Sequence, residues 1–371
     1  MWWRPRPVHL LTIVSTTVVD RVTVGGWVGS TNLGDELLFR ILNDLLGARG
    51  VAVGGPSVDP AGTAAVHGTE AHGHLNPSAL RHSLVASDAF VFGPGGLLQD
   101  ETGVWNLPYH LRRIRMARRA GLPWAGIGLG ADGLTTERGR GQVLKALVGH
   151  TAIAVRDEAS FDALKALGVE RIVRAADLAF LAEVPQVSGD GVLGVCLRAP
   201  QSGRFRPGAL DHGHRWRDGQ AAAMAAALDE TARATGLTVR FLAFDARSDG
   251  VVHRQVAERM TTAAEVVEPE LDGLVAALAR VEAMATMRYH GAVLAALGGA
   301  GVVALPFSPK LRSIADDLGP GATVLDDVDT GLPAAVTSVL EHRHHLADHV
   351  DRLTRLAGRN VEVLDGLLEA S

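Results

Sequence analysis

The sequence predicts an α/β protein of two similar halves, each a doubly wound parallel sheet, with a cleft between them. Short apolar runs alternate with longer helical patterns along the chain, which is typical of a parallel sheet covered by helices. The alternation breaks at residues 182–191, "AEVPQVSGDG", whose Pro, Gly and Ser suit a linker, and then starts again. The length of 371 residues is also more than one compact core usually holds.

The first predicted domain covers residues 21–185 and contains four clear units in which a strand precedes a helix. The strand-like runs are "RVTVGGWVG", "SDAFVFGPGG", "LPWAGIGLG" and "TAIAVRD". The helical patterns that follow them are "GDELLFRILNDLLGARG", "YHLRRIRMARRAG", "RGRGQVLKALVGH" and "ASFDALKALGV". Residues 1–20 are expected to be a leader or an extension, because Ser15, Thr16 and Thr17 dilute their apolar run and no A-x-A cleavage site follows.

The second predicted domain covers residues 190–371. It restarts the alternation with the strand "VLGVCLRAP", the Ala-rich helix "DGQAAAMAAALDETARATG" and the strand "LTVRFLAFD". Helices at "VVHRQVAERM" and "LDGLVAALARV" and a strand at "GAGVVALPF" come next. The tail after residue 330 predicts one or two amphipathic helices that close this half.

Composition excludes some classes of protein. A net charge of −5 gives no overall attraction to nucleic acid. The single cysteine, Cys196, lies in an apolar run and cannot form an internal disulfide, which fits a cytoplasmic protein. No stretch has the ~20 consecutive apolar residues of a membrane span. The basic run "HLRRIRMARR" predicts a solvated helix face in preference to contact with anionic lipid at the inner face of the membrane.

Two glycine-rich loops follow predicted strands, where parallel sheets bind their ligands. In "GGWVGSTNLGDE", glycines let the backbone approach a ligand, and a helix beginning near Asp35 would direct amide groups at an anion. The glycine spacing fits neither a dinucleotide fingerprint nor a nucleoside-triphosphate P-loop. In "FGPGGLLQDET", Asp100 follows a similar turn. Helix capping is the alternative role for both aspartates. The loop residues expected near a substrate are Gly29, Asn32, Gly34, Gly95, Gly96 and Gln99.

Four cationic or titratable side chains also leave predicted strands. Arg156 ends "TAIAVRD", Arg288 and His290 precede an apolar helix, and Lys310 follows the strand "GAGVVALPF". Each alone is explained by a surface ion pair or a structural histidine, but together they predict a cationic cluster around one ligand. The other histidines lack cysteine partners and an H-E-x-x-H pattern, so no metal site is expected.

Taken in order, these segments resemble the polysaccharide pyruvyl transferase family. The matching segments are "GWVGSTNLGDELL", "FGPGGLLQDET", "AGLPWAGIGLG", "VRDEASFDALKALGV", "AADLAFLAE" and "MRYHGAVLAALGGAGVVALPFSPKLRSIADDLG". The sequence departs from the family at "FGPGG", where three consecutive glycines are usual, and at "GIGLGADGL", which lacks a proline after Gly-Ile-Gly. Both departures lie near the expected acceptor side.

The resemblance implies two Rossmann-like domains facing a cleft, as in the GT-B glycosyltransferase fold, with the acceptor on the N-terminal side and the donor on the C-terminal side. It implies transfer of a pyruvyl group from phosphoenolpyruvate to two hydroxyls of a sugar, forming a cyclic ketal in a cell-surface or cell-wall polysaccharide. The donor ligands carried over are Arg156, His290 and Lys310, with Arg288 beside them.

The expected chemistry begins with a proton given to the enol by His290, which titrates near neutral pH. Asp35 and Asp100 are the expected groups that orient or deprotonate the acceptor hydroxyls. No cofactor is expected. The expected partners are phosphoenolpyruvate and a glycan or lipid-linked glycan, with peripheral membrane contact and a homo-oligomer left open. Two alternatives are a nucleotide-sugar glycosyltransferase of similar fold and a non-catalytic glycan-binding protein.

Overall fold

The computed structural model describes most of the chain. The described residues are 19–101, 103, 105–186, 191–198, 215–305, 309–326 and 328–370. Of the predicted leader, residues 1–18 lie outside this part of the chain, so their predicted role is not addressed by the structure.

The first half is a seven-stranded sheet in which every neighbouring pair is parallel. Its strands are β1 (Arg21–Val24), β2 (Ala52–Ser57), β3 (Glu70–Gly73), β4 (Ala89–Phe92), β5 (Trp124–Leu129), β6 (Ile153–Val155) and β7 (Ile172–Arg174). The strand order is β3-β2-β1-β4-β5-β6-β7. Strands β2 and β3 are added on one side of β1, and strands β4 to β7 on the other side. The topological switch point of the sheet therefore lies between β1 and β4.

Six helices connect these strands. They are α1 (Leu33–Gly47), α2 (Pro60–His67), α3 (Pro77–Val85), α4 (Asn106–Arg119), α5 (Glu137–Ala146) and α6 (Glu158–Ala166). Several begin at a side-chain cap: Asn32 accepts from the Gly34 amide and Asp157 from the Ser160 amide. Helices α3 to α6 share one apolar layer with β4, β5 and β6, whereas α1 packs in a separate core on the other face.

The second half repeats this design with six parallel strands. They are β8 (Val192–Cys196), β9 (Thr238–Leu242), β10 (Ala264–Val267), β11 (Val281–Thr286), β12 (Gly301–Ala304) and β13 (Ala322–Val324). The order is β10-β9-β8-β11-β12-β13, so the switch point lies between β8 and β11. The helices are α7 (Asp218–Thr235), α8 (Asp249–Ala257), α9 (Leu274–Ala277), α10 (Tyr289–Leu297), α11 (Pro309–Leu318) and α12 (Val328–His342). Two doubly wound parallel sheets confirm the predicted fold class.

The last helix, α13 (Leu346–Glu369), returns to the first half. It packs against β5, β6 and β7, whereas α12 packs against α7 and β12 of the second sheet. Buried Asn360 fixes this position: its Oδ1 accepts from the Gly128 amide at 2.9 Å and its Nδ2 donates to the Ala176 carbonyl at 2.9 Å. The sequence predicted that the tail closes the second half. Of its two helices, α12 does so and α13 covers strands of the first, while the predicted domain bounds, 21–185 and 190–371, remain predictions.

Candidate active site

The carboxyl ends of both sheets face each other, and the loops at the two switch points meet there. The amide of Leu33, at the start of α1, donates to the carbonyl of Phe244, just after β9, at 2.7 Å. The His290 ring at the start of α10 packs so closely on Gly34 that any side chain at position 34 would overlap its Nδ1 atom. Groups from separate ends of the chain therefore share one crevice, as doubly wound sheets generally provide.

Arg156 follows β6 and is buried, with 6% of its surface exposed. Its Nε donates to Asp157 at 3.3 Å, and its other nitrogens lie 3.6 Å from Asp177 and 3.7 Å from Asp132. Burial works to lower the pKa of Arg156, but these carboxylates outweigh it and raise the pKa above its ordinary value. Despite its burial, Nη2 donates no hydrogen bond to any described residue. A buried guanidinium N–H that donates no hydrogen bond costs free energy unless a ligand accepts from it.

Lys310 is the second residue of α11, so the structure places it in a first helical turn instead of the predicted loop. A methyl group added at Gly96 would lie 3.0 Å from its Nζ and 3.5 Å from Nη2 of Arg156. The two cations, one from each half, therefore converge on the space that Gly96 leaves empty. Burial, together with the charge of Arg156, lowers the pKa of Lys310.

Asp177 joins this cluster, although the sequence did not single it out. It follows β7, is 1% exposed, and accepts from the Ala179 amide through Oδ1. The same Oδ1 lies 3.6 Å from Nε2 of His290. Burial alone would raise the pKa of Asp177, but His290 and Arg156 hold it below the ordinary value. The one signal available was a lone acid before the apolar run in "AADLAFLAE".

Three buried polar atoms in this cluster have no hydrogen-bond partner within the described residues. They are Nη2 of Arg156, Oδ2 of Asp177 and Nε2 of His290. Native interiors leave few such atoms, and each one calls for a partner. Their grouping at the mouth of two sheets indicates a ligand site.

Asp35 lies on the opposite wall, in the first turn of α1. Asn32 donates to its carboxylate at 2.6 Å. Burial raises the pKa of Asp35, and the charges of His290 and Arg288 offset only part of this effect. A methyl group at Gly95 would lie 4.0 Å from its Oδ1, so this carboxylate also faces the second glycine loop.

Arg288 is held by a carboxylate of its own half. Its Nε and Nη2 donate to the two oxygens of Asp249 at 3.0 and 2.5 Å, and Nη2 also contacts Ser248 at 3.3 Å. Asp249 is fully buried. This bidentate pair accounts for the position of Arg288, and its role as a donor ligand remains a prediction.

The carboxylate of Asp100 is occupied by hydrogen bonds within its own half of the chain. Its carboxylate accepts from the amides and hydroxyls of Thr135 and Thr136, ahead of α5. Burial opposes the shift, but these donors lower the pKa of Asp100. A carboxylate with four donors anchors the loop. The N-caps of α4 and α5 are Trp105 and Thr136, so Asp100 caps neither helix, and its catalytic role remains a prediction.

Of the remaining loop residues, some shape the loops and others border the side chains of the site. Gly29 has φ of +75° and turns against Ser57 and Thr63, so it shapes the loop. The Gln99 carbonyl accepts from the side chain of Asn106 at 3.2 Å. Gly34, Gly95 and Gly96 are the glycines that border His290, Asp35 and Lys310.

A second pair of polar residues was missed in the sequence. Arg198 follows β8, and burial with the charge of Arg288 lowers its pKa to about 10. Asp245 follows β9; its Oδ2 lies 4.0 Å from Arg288, and its buried Oδ1 forms no hydrogen bond with described residues. Their only sequence signal was position after a strand.

Across the described residues, no three His, Cys, Asp or Glu side chains group as metal ligands. Within that same part of the chain, none of the helices combines the length and apolarity that a membrane crossing needs.

The fold and this crevice define an α/β protein of the GT-B class. The calicheamicin glycosyltransferase CalG4 matches with a TM-score of 0.54 and 15% identity, over 94% of this chain and 98% of its own. UDP-GlcNAc 2-epimerase from Neisseria meningitidis, bound to UDP-GlcNAc, matches with a TM-score of 0.60 and 10% identity, over 95% of this chain and 100% of its own. Anabaena Alr3699/HepE in complex with UDP matches with a TM-score of 0.55 and 13% identity, over 94% of this chain and 97% of its own. At these identities the likeness shows the fold alone.

The family is shown by sequence. The family model for polysaccharide pyruvyl transferase matches residues 32–309, and the chain belongs to that family. The predicted resemblance is confirmed, and with it a transferase that acts on polysaccharide. Among curated proteins, no match was found.

Proposed function

We propose that the protein transfers a pyruvyl group from phosphoenolpyruvate to two hydroxyls of a sugar in a cell-surface polysaccharide or its lipid-linked precursor. The observation that supports this most is the group of unpartnered buried atoms on Arg156, Asp177 and His290, with Lys310 beside them. Phosphoenolpyruvate is small and carries about three negative charges near neutral pH. Its binding needs cations that converge on a small space.

Arg156 and Lys310 meet that need in different ways. The fork of a guanidinium suits a planar carboxylate or a phosphate, and a lysine adds a compact charge. The carboxylates of Asp132, Asp157 and Asp177 balance the charge of Arg156 at 3.3 to 3.7 Å, and Nη2 donates no hydrogen bond to the part of the chain that the structure describes. An oxygen of phosphoenolpyruvate would accept that hydrogen bond from Nη2 in the space beside Gly96.

The proposed reaction starts with the imidazolium of His290. It gives a proton to the methylene carbon of the enol, and C2 gains oxocarbenium character. One sugar hydroxyl attacks C2 while Asp35 takes its proton. The bond between C2 and the phosphate oxygen then breaks, and that proton leaves with inorganic phosphate. The second hydroxyl attacks C2, closes the ketal and returns its proton to His290.

Asp35 suits the role of base because its pKa is raised and its carboxylate faces the crevice. A base with a raised pKa accepts a proton from a hydroxyl more readily than an ordinary carboxylate does. Asp177 keeps its negative charge, because His290 and Arg156 hold its pKa below the ordinary value, and its Oδ1 lies 3.6 Å from Nε2 of His290.

Calorimetry and a phosphate-release assay test the proposal. Phosphoenolpyruvate should bind, UDP-sugars should not, and Lys310→Ala should weaken donor binding because it removes one cation from a trianion's site. Phosphate should be released only when a suitable soluble or lipid-linked glycan is present. Binding of UDP-sugars without binding of phosphoenolpyruvate would instead support a glycosyltransferase, and an unchanged donor affinity in Lys310→Ala would contradict the role of that lysine.

A further inference from the structure

Helices α3, α4 and α5 lie side by side on the outer layer of the first sheet. Their inner faces bury Leu84, Leu111, Ile114 and Val143 in the core that contains β4 and β5. Their outer faces remain exposed and form one continuous surface, here called the α3–α5 face. The three helices are separate in the sequence, and only the fold places them together.

The α3–α5 face is strongly basic. Its exposed charged side chains are Arg81, Arg112, Arg115, Arg118, Arg119, Arg138, Arg140, Lys145 and the single acid Glu137. These groups give the face a net charge of +7, although the whole chain has a net charge of −5. Charge is therefore unevenly distributed along the chain.

The arginines of α4 are not neutralised by neighbours. Arg140 pairs with Glu137, but Arg112, Arg115, Arg118 and Arg119 form no salt bridge with any described residue. Like charges so close together repel one another unless something anionic covers them.

Large apolar side chains are exposed at the ends of the same three helices. Val85 at the end of α3 is 70% exposed, Trp105 at the start of α4 is 66% exposed, and Leu144 and Val148 at the end of α5 are 43% and 52% exposed. Cations with interspersed apolar groups are the pattern of surfaces that lie in the headgroup region of a bilayer. Tryptophan in particular favours that interface.

We propose that the α3–α5 face docks on an anionic lipid bilayer. Basic groups attract an anionic leaflet, and Val85, Trp105, Leu144 and Val148 enter the boundary between headgroups and acyl chains. Nucleic acid would share the electrostatic attraction but would gain nothing from isolated aliphatic side chains. The sequence favoured a solvated helix for α4 because the neighbouring faces of α3 and α5 were not visible in it.

This docking also bears on the acceptor, in a step that rests on the proposed function. Helix α4 begins at Asn106, whose side chain donates to the Gln99 carbonyl in the loop that carries Gly95 and Gly96. One end of the α3–α5 face therefore adjoins the acceptor side of the crevice. An enzyme bound through this face would receive a sugar carried on a membrane lipid.

Vesicle sedimentation tests the docking without any reaction. The full chain should bind phosphatidylcholine vesicles that contain phosphatidylglycerol, should not bind phosphatidylcholine alone, and should be released by salt. The variant Arg112→Glu/Arg115→Glu/Arg119→Glu should partition at least about tenfold less, because each basic group near the surface contributes to attraction. The matched control Arg215→Glu/Arg233→Glu/Arg355→Glu, which reverses three exposed arginines elsewhere, should bind nearly as wild type.

Two further measurements keep the result decisive. Leu144→Ser/Val148→Ser should weaken binding in salt without changing the charge of the face. Thermal unfolding and phosphate release with a soluble acceptor should be unchanged in every variant, so failure of docking and failure of the proposed function are distinguished. Equal loss in the two triple variants, no binding to anionic vesicles, or preferential binding of a nucleic-acid duplex would overturn the proposal.

Discussion

At the scale of single residues, Asp177 connects the groups that the two halves bring to the crevice. It lies 3.6 Å from Arg156 and 3.6 Å from His290, and it is almost fully buried. A buried carboxylate between two cationic groups fixes both and holds its own charge. It therefore positions Arg156 and His290 at the crevice.

Asp177→Asn should lower kcat, because the variant removes the carboxylate charge that lies 3.6 Å from both Arg156 and His290 and holds them in place. His290→Ala should lower kcat by roughly 100-fold or more. Phosphate release at saturating donor measures both effects, and thermal unfolding reports the stability of each variant. A wild-type kcat in Asp177→Asn would show that Asp177 only supports the fold.

Gly96→Ala should fill the space between the two cations. The added methyl group would lie 3.0 Å from Lys310 and 3.5 Å from Arg156, where the donor is proposed to bind. KM for phosphoenolpyruvate should rise about tenfold or more, which corresponds to the loss of one good contact. Gly141→Ala is the control, because its methyl group meets nothing within 4 Å. Equal KM values in the two variants would place the donor elsewhere.

At the scale of secondary-structure elements, two aspartates anchor loops in the same way. Asp229 of α7 accepts from the amides and hydroxyls of Thr261 and Thr262 before β10, as Asp100 does from Thr135 and Thr136 before α5. Burial opposes the shift, but these donors lower the pKa of Asp229 to about 2. Since the folded pKa is depressed, the anchor stabilises the fold when the carboxylate is ionised.

Asp229→Asn should lower the free energy of unfolding by about 2 kcal/mol near neutral pH. The wild-type advantage is present above the unfolded pKa near 4 and is lost as pH falls towards about 2, so the two proteins should converge in acid. Denaturant unfolding at several pH values measures this. A difference independent of pH would assign the effect to packing.

Asp100→Asn distinguishes the two roles considered for that residue. As a loop anchor, Asp100 should contribute to stability in the way that Asp229 does, and the variant should keep its kcat once folded. Thermal unfolding and the phosphate-release assay report the two effects separately. A fall in kcat of about 100-fold without loss of stability would restore the catalytic role.

The elements that could be predicted were those whose burial produces a recognisable pattern of apolar residues in the local sequence. Strands β1, β4 and β5 carry apolar runs that end at glycines, β6 carries one that ends at Arg156, and clear helices follow all four. Strand β11, "VEAMAT", was missed because it lies at the centre of its sheet, buried on both faces, so its residues do not alternate. Alanine and methionine there favour helix locally, and tertiary burial overrides this preference.

The site was predictable in the same measure. Arg156, His290 and Lys310 each follow a strand and carry charge, so the shared edge of parallel strands brought them together in the prediction. Asp177, Arg198 and Asp245 also follow strands, but their neighbours in the sequence give no hint of which side chain they meet. Asp100 shows the converse: its four donors lie 35 or 36 residues further along the chain.

At the scale of the whole molecule, α13 holds the two halves together. It packs on strands of the first sheet and on α11 of the second half, and Asn360 completes two backbone groups of the first half. Together with the contact between His290 and Gly34, this makes the crevice a product of the complete chain rather than of either half alone.

Asn360→Ala should lower the free energy of unfolding by about 1–3 kcal/mol. The variant leaves the amide of Gly128 and the carbonyl of Ala176 buried without partners. Denaturant unfolding measures the change. Glu362→Ala, an exposed position on the same helix, should stay within about 0.5 kcal/mol of wild type. Similar values for both variants would mean that Asn360 is not the anchor of α13.

The path of α13 also sets the order in which a cell can complete this protein. The strands of the first half have all been synthesised by residue 174, but the helix that covers β5 to β7 begins only at residue 346. A nascent chain leaves the ribosome with that apolar surface open through the whole translation of the second half. The half made first is thus the half finished last.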